Sequence, residues 1–191
     1  MTDYLQPDFY RFNSDSLQLI NFLRSKALTA SSILDIGAGC GILGIELARH
    51  FKPDHLVLLE LQPEFSPFLQ RNLELFLPNK GRVGTVFSAL GEWENKQKFE
   101  LIVCNPPYYL PHRGEPSQDA RRSQCRTFER DGWPELIVCI EKALAPGGHC
   151  FIVLKDDPMI LKEFEKQRSA LTHSFHQLQG TVIIELTNET A

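Results

Sequence analysis

Apolar and polar positions follow two rhythms along the chain, and the rhythm switches at short, regular intervals. "DSLQLINFLRSKAL" (15–28) has apolar residues at 17, 19, 20, 22, 23 and 27–28. That spacing lines one face of a helix, with Ser14 or Asp15 placed to cap its start. "SILDIG" (32–37) is a continuous apolar run into glycine and predicts a buried strand. Helical spacing returns over "GILGIELARHF" (41–51), and "HLVLLE" (55–60) predicts the second strand. "EFSPFLQRNLELFL" (64–77) predicts a helix starting near Ser66. Pro67 then falls in its first turn, where a missing N–H is tolerated. "RVGTVFS" (82–88) and "FELIVC" (99–104) predict strands three and four. "WPELIVCIEKAL" (133–144) predicts a helix stopped by "APGG", followed by strand five in "HCFIVLK" (149–155) and a helix over 158–170. "THSFHQLQGTVIIELT" (172–187) predicts two strands turning at Gly180, a closing antiparallel hairpin that puts His173 and His176 on its surface.

Strand–helix alternation with continuous apolar strands predicts an α/β fold, a mostly parallel seven-stranded sheet covered by helices on both faces. The whole chain, 1–191, reads as one domain: an N-terminal segment and helix over 1–31, then the α/β core over 32–191. Composition narrows the class. Hydrophobic content of 42% and charge of 23% suit a soluble globular protein, and no apolar run approaches the ~20 residues of a membrane span. The start, "MTDYLQPDFY", lacks the basic and apolar stretches of a signal peptide. Five cysteines without a C-x-x-C pair predict reduced thiols in a cytoplasm and no structural metal. A net charge of −4 restricts any nucleic-acid surface to a local patch.

The polar motifs fall on one edge of the predicted sheet. "DIGAGCG" follows strand one, Glu60 ends strand two, Ser88 ends strand three, and "NPPYY" (105–109) follows strand four. Ligands of open α/β sheets bind outside the carboxyl ends of the strands, where the strand order switches. "GCGILG" (39–44) fits G-x-G-x-x-G, so a nicotinamide dehydrogenase competes. The turn glycine, however, is Gly37, and the full run is Asp35-x-Gly37-x-Gly39-x-Gly41. An acidic, wider glycine run suits a ligand with an ammonium group and no pyrophosphate, such as S-adenosylmethionine (SAM). Gly37, Gly39 and Gly41 would admit it, Asp35 would meet its ammonium directly or through water, and Glu60 would accept both ribose hydroxyls. "NPPYY" is either a proline-rich turn or a stiff acceptor-only loop beside an aromatic face. Two prolines remove two N–H donors, and the first holds Asn105 in extended poses. Such a loop receives a planar group bearing an NH2.

These stretches resemble the amino-methyltransferases that carry [N/D/S]-P-P-[Y/F/W]. The closer similarity is to the small bacterial enzymes that methylate N6 of an adenine beside the anticodon of valine tRNA. It rests on "QPDFYRFNSDSLQLINF" (6–22), "LDIGAGCGILGIELA" (34–48) and "LIVCNPPYYLPHRGEPSQDARRSQCR" (101–126). Phe9 stands where that family has glycine, and Thr127-Phe128 stand where it has His-Glu. Ser88 stands where it has an acid near the cofactor's adenine. The resemblance implies a Rossmann-like methyltransferase fold, SAM as donor with S-adenosylhomocysteine as product, and no metal. It implies cofactor contacts from Asp35, Gly37, Gly39, Gly41, Glu60, Leu61 and Ser88, and catalysis by Asn105, Pro106, Pro107 and Tyr108. Tyr108 would stack on the base.

Arg122 and Arg126 match the family's two arginines and, four apart, would share a helix face toward RNA. Tyr10 and Phe12 would line the entrance for SAM and substrate. The implied partner is tRNA, with no membrane and no obligate protein partner. Three alternatives stay open: N5 methylation of a release-factor glutamine, N2 methylation of a guanine in rRNA, and a silent SAM- or nucleotide-binding module. Only 34 residues precede Asp35, fewer than the glutamine enzymes' helical domain needs, and intact Asp35, Glu60 and Asn105 weigh against a silent module.

Overall fold

A computed structural model of the chain describes residues 4–78, 82–107, 119–125 and 132–189. Its elements follow the predicted alternation: α1 (Ser14–Ser25), β1 (Ser32–Ile36), α2 (Ile42–Phe51), β2 (His55–Glu60), α3 (Ser66–Phe76), β3 (Arg82–Phe87) and β4 (Phe99–Cys104). A short helix α4 (Ala120–Gln124) precedes α5 (Gly132–Ala143), β5 (Leu144–Lys155), α6 (Pro158–Glu165), β6 (Thr172–Gln177) and β7 (Thr181–Thr187).

The seven strands form one sheet in the order β3-β2-β1-β4-β5-β7-β6. β1 pairs in parallel with both β2 and β4, and β7 runs antiparallel to β5 and β6. The sheet is therefore mostly parallel with a C-terminal antiparallel hairpin, as the apolar pattern predicts. The strand order reverses at β1, so the crevice outside its carboxyl end lies between the glycine loop and the loop after β4.

Period-2 alternation divides the core in two. Ile33, Leu101, Val103 and Phe151 face α1, α2 and α3, whereas Leu34, Ile102, Cys104 and Ile152 face α5 and α6. Helices thus cover both faces. Asp35 shares the parity of Ile33 and so points toward α2, into the protein.

Four local expectations are corrected. The cap of α1 is Asn13, whose side chain accepts the Asp15 N–H, because Ser14 and Asp15 already lie in the first turn. β5 starts at Leu144, directly after α5, because "APGG" is extended: Leu144 pairs with Phe99, a bulge follows, and Gly147 turns at φ +69°. α6 stops at Glu165, where Ser169 and the Ala170 N–H turn to Glu141 and leave the helical path. His176 is half-buried, with Nε2 2.6 Å from Glu185, whose other oxygen meets His149. The helix over 64–77 is entered through a single 3-10 turn, Pro63–Phe65.

Residues 4–13 strap this framework to the site. Fully buried Asn72 accepts the Leu5 N–H and donates to the carbonyls of Leu5 and Cys40, each at 2.9 Å. Tyr4 stacks on Phe76 and donates to Glu46, while Gln6 accepts the Phe12 N–H. One side chain, Asn72, therefore ties the strap, α3 and the glycine loop together.

Candidate active site

The glycine loop is shaped by what each backbone position must do. Gly37, Gly39 and Gly41 have φ of +72°, +54° and +88°, the left-handed region that other residues enter at a cost. At Gly37 a Cβ would meet open space, so the absence of a side chain leaves room for a ligand. At Gly41 a Cβ would lie 2.5 Å from Leu69 Cδ1, so this glycine serves packing. The N–H groups of Gly37 and Ala38 both donate to the Leu59 carbonyl, which fastens the loop to the end of β2.

Gly41 is also the N-cap of α2 and has no side chain with which to cap it. Asp35 supplies the missing acceptor from β1: its Oδ2 accepts the Gly44 N–H at 2.8 Å. A carboxylate at a helix N-terminus satisfies an orphan donor and meets the positive end of the dipole. Asp35 has no exposed surface, and its Oδ1 is buried without a partner among the described residues. Burial raises its carboxyl to about 7, opposed by the Gly44 bond and helped by nearby Glu60.

That shift has a stability consequence. Between the ordinary value near 4 and about 7 the folded state binds more protons than the unfolded state, so stability falls as pH rises through this window. Asp35→Asn keeps the acceptor for Gly44 and removes the ionisation. Its stability should match wild type near pH 4 and exceed it at pH 8, by up to about 4 kcal/mol. Urea unfolding of both proteins from pH 5 to 8 measures this, and a pH-independent difference would contradict a raised Asp35.

Glu60 works in the open half of the same cradle. Its Oε2 accepts the Gly39 N–H at 2.7 Å and its Oε1 the Gln62 N–H at 2.9 Å. Each oxygen keeps a further lone pair, and Glu60 borders the cavity. Burial raises its pKa against those same backbone bonds. The Ser88 N–H donates to the Glu60 carbonyl, and Ser88 Oγ donates to the Ala89 carbonyl.

Two cavities open on this edge. The first, of about 530 Å³, is walled by Gly37 and Gly39, Glu60, Leu61, Ser88 and Phe12. Leu61, Leu90 and Leu136 make one stretch of it apolar, and Leu61 is 48% exposed. The second, of about 420 Å³, is bordered by Arg11, Asn13 and Arg122. Asn105, Pro106, Pro107, Tyr10 and Cys125 border both. Of the residues singled out in the sequence, Asp35 and Gly41 stand behind the walls. Tyr108 and Arg126 lie outside the described residues.

Other members were not legible as motifs. Ser16 on α1 receives an Asn105 amide hydrogen at 2.8 Å, although periodicity marks it only as a polar position. Gln62 borders the first cavity and donates from Nε2 to Cys125 Sγ at 3.1 Å, linking the β2 end to the α4 segment. Its neighbour Arg121 lies over the Phe9 ring, at 4.6 Å from the centroid. Phe9, where a glycine was expected, thereby anchors α4 to the strap. Among the described residues no helix is long and apolar enough to cross a membrane.

Comparison with known proteins agrees with this architecture. A family model of the methyltransferase small domain matches residues 11–181. The tRNA1(Val) (adenine(37)-N6)-methyltransferase of Shewanella loihica is 30% identical over 152 residues, covering 74% of this chain and 61% of that protein. Its namesake from Aliivibrio salmonicida is 27% identical, covering 81% and 63%. The chain thus spans less than two thirds of the length of these relatives. Among solved structures, a T. thermophilus 16S rRNA N2 methyltransferase in complex with AdoMet and guanosine aligns with a TM-score of 0.67 at 20% identity, over 93% of this chain and 44% of that one. The N-methyltransferase NodS of Bradyrhizobium japonicum, with S-adenosyl-L-homocysteine, aligns at 0.61 and 17% identity, over 91% and 85%. Both share the fold. Matched from the strap that borders the cavities to the first residue of β7, the chain belongs to the methyltransferase small domain family.

Proposed function

We propose that the chain methylates an exocyclic amino nitrogen with SAM as donor, and that the acceptor is N6 of an adenine in tRNA. The observation that carries this is the shared wall, Asn105-Pro106-Pro107, between the two cavities. A donor held on one side and a base held on the other meet across a loop rich in acceptors.

The first cavity fits an adenosine with a cationic tail. Leu61, Leu90 and Leu136 offer an apolar slot for adenine, Glu60 offers lone pairs to ribose hydroxyls, and Gly37 leaves space beside the buried Asp35 and Glu60. When bound, SAM supplies an electrophilic methyl group on a sulfonium and leaves as S-adenosylhomocysteine. The chain's own residues hold the nucleophile. Asn105 Oδ1 and the Pro106 carbonyl accept the two amino hydrogens, and neither proline has an N–H to oppose them. As the nitrogen gains positive charge, both acceptors stabilise it, which is preorganised electrostatic catalysis with the sign of an oxyanion hole reversed. No strong base is required, because the proton can leave after transfer. Tyr108 is the proposed stacking partner of the base, worth roughly 1–3 kcal/mol.

The second cavity supports RNA as the acceptor. Arg11 and Arg122 outweigh Asp8 in its lining and leave it positive in a chain whose net charge is −4, and Arg126 is proposed to extend that patch. The relatives' named substrate, an adenine at position 37 of valine tRNA, supports the same reading. An anticodon loop exposes unpaired bases, so turning one into a pocket costs less than opening a duplex. Free cysteines throughout fit a reaction in the cytoplasm.

Incubation with labelled SAM and total tRNA, total rRNA or a release factor, followed by nucleoside mass spectrometry, tests the substrate. N6-methyladenosine in tRNA is expected. Label only in protein or only in guanine would overturn the substrate and leave the methyl transfer standing.

A further inference from the structure

We propose that Asn13 and Ser16 are positioning residues that fix which end of the Asn105 carboxamide faces the acceptor base, a proposal that rests on the methyl-transfer reading above. A primary amide has a donor end and an acceptor end of nearly the same shape. Only the oxygen end serves an incoming NH2, since the nitrogen end would set donor against donor. Something must therefore choose.

Pro106 and Pro107, which follow Asn105, supply no choice, because neither has an N–H. Among the described residues, both contacts of the carboxamide come from the start of α1, across the crevice. Asn105 Nδ2 donates to Ser16 Oγ at 2.8 Å and to Asn13 Oδ1 at 3.4 Å. A serine hydroxyl donates or accepts equally well and cannot select an end by itself. Asn13 can. As the cap of α1 its Oδ1 already accepts the Asp15 N–H at 3.2 Å, and its Nδ2 donates to Asp15 Oδ2 at 2.8 Å.

A main-chain N–H cannot be turned round, so the oxygen of Asn13 is fixed in place. The end of Asn105 that meets it must then be the nitrogen. Ser16, only 3% exposed, adds the shorter bond and holds the group there. Asn105 Oδ1 is left without a partner among the described residues, at the wall that both cavities share. The polarity of a helix cap is passed through two side chains to the reacting nitrogen.

The orientation can be read without cofactor or substrate. In 15N-labelled protein the Asn105 NH2 pair is assigned by its loss in Asn105→Ala. In Ser16→Ala this pair should move toward the position of a free carboxamide and exchange with solvent about ten-fold faster, one ordinary hydrogen bond being lost. Ser16→Thr should restore it. An unmoved pair in Ser16→Ala overturns the proposal.

Kinetics supply the second arm. Ser16→Ala should lower kcat about ten-fold with KM for SAM unchanged, and should add nothing in an Asn105→Ala background. A raised KM with unchanged kcat would make Ser16 a binding contact that does not position Asn105, and would sink the proposal. So would an additive loss in the double variant. A slow Asn105→Ala beside an unaffected Ser16→Ala removes this proposal alone, whereas full turnover in Asn105→Ala removes the methyl-transfer reading with it.

Discussion

Asn105→Ala is expected to bind SAM with wild-type affinity and to lose about 100- to 1,000-fold in kcat. The split follows from what Asn105 touches. Its nitrogen is engaged by Ser16 and Asn13, and its oxygen has no hydrogen-bond partner among the described residues, at the wall that the two cavities share. In the proposed reaction, truncation removes one of two acceptors aimed at the charge that grows on the attacking nitrogen. A neutral adenine, the proposed acceptor, gains little from that oxygen in the ground state, so the loss appears in kcat more than in KM. The fold should survive, because Cys104 before it and Pro106 after it stay buried and β4 keeps its pairing with β1 and β5. Ser16 Oγ loses a donor, but a hydroxyl at a cavity wall has water as a substitute partner. Calorimetry for SAM and single-turnover methylation of tRNA separate the two quantities. Wild-type turnover would reduce Asn105-Pro106-Pro107 to a turn.

The sheet was legible in the sequence because buried parallel strands are nearly continuous apolar runs, as in β1, β2, β4 and the second half of β5, set among stretches of helical spacing. The position of the site followed from the same map, since Asp35, Glu60 and Asn105 come at or next to the ends of β1, β2 and β4. Direction was harder to read. From the sequence, Asp35 reads as meeting a ligand's ammonium directly or through water. The parity of β1 gives it a further partner, the Gly44 N–H, where it caps a helix whose own cap residue is a glycine. Sequence reading assigns an acid to a strand end; deciding which side of the sheet it faces requires the parity of its neighbours. Ser16 was invisible for another reason. Its partner is 89 residues away, and no local spacing encodes a contact between α1 and the loop after β4. The same holds for Asn72, whose three hydrogen bonds to Leu5 and Cys40 bind the strap to the glycine loop. "APGG" failed differently: its turn chemistry is real at Gly147, but the backbone stays extended enough for Leu144 to pair with Phe99.

Glu60→Ala should raise the dissociation constant for SAM at least about 100-fold and also lower stability, by about 2 kcal/mol. From the sequence, Glu60 reads as an acceptor for ribose hydroxyls at a strand end. The structure gives it a second task. Its two oxygens accept the N–H groups of Gly39 and Gln62, and all three residues are buried. Alanine leaves both donors without a protein partner, and each such group costs about 1–3 kcal/mol when water cannot replace the acceptor. Part of that loss is offset, since burial already disfavours the Glu60 charge and its removal relieves Asp35. On the ligand side, the two ribose hydroxyls of the proposed SAM complex lose a charged acceptor, at about 1.5–3 kcal/mol each, which is the source of the expected affinity loss. Glu60→Gln separates the two tasks. Its oxygen can still serve one backbone N–H while its NH2 opposes the other, so its stability should fall between wild type and alanine. Its SAM affinity should drop nearly as far as that of alanine, because the charge is gone. Thermal unfolding of the cofactor-free variants measures the first quantity and calorimetry with SAM and S-adenosylhomocysteine the second. An alanine variant as stable as wild type would mean that water replaces the carboxylate at Gly39 and Gln62. Wild-type protein that ignores SAM and binds NADH tightly would return the glycine loop to the dehydrogenases.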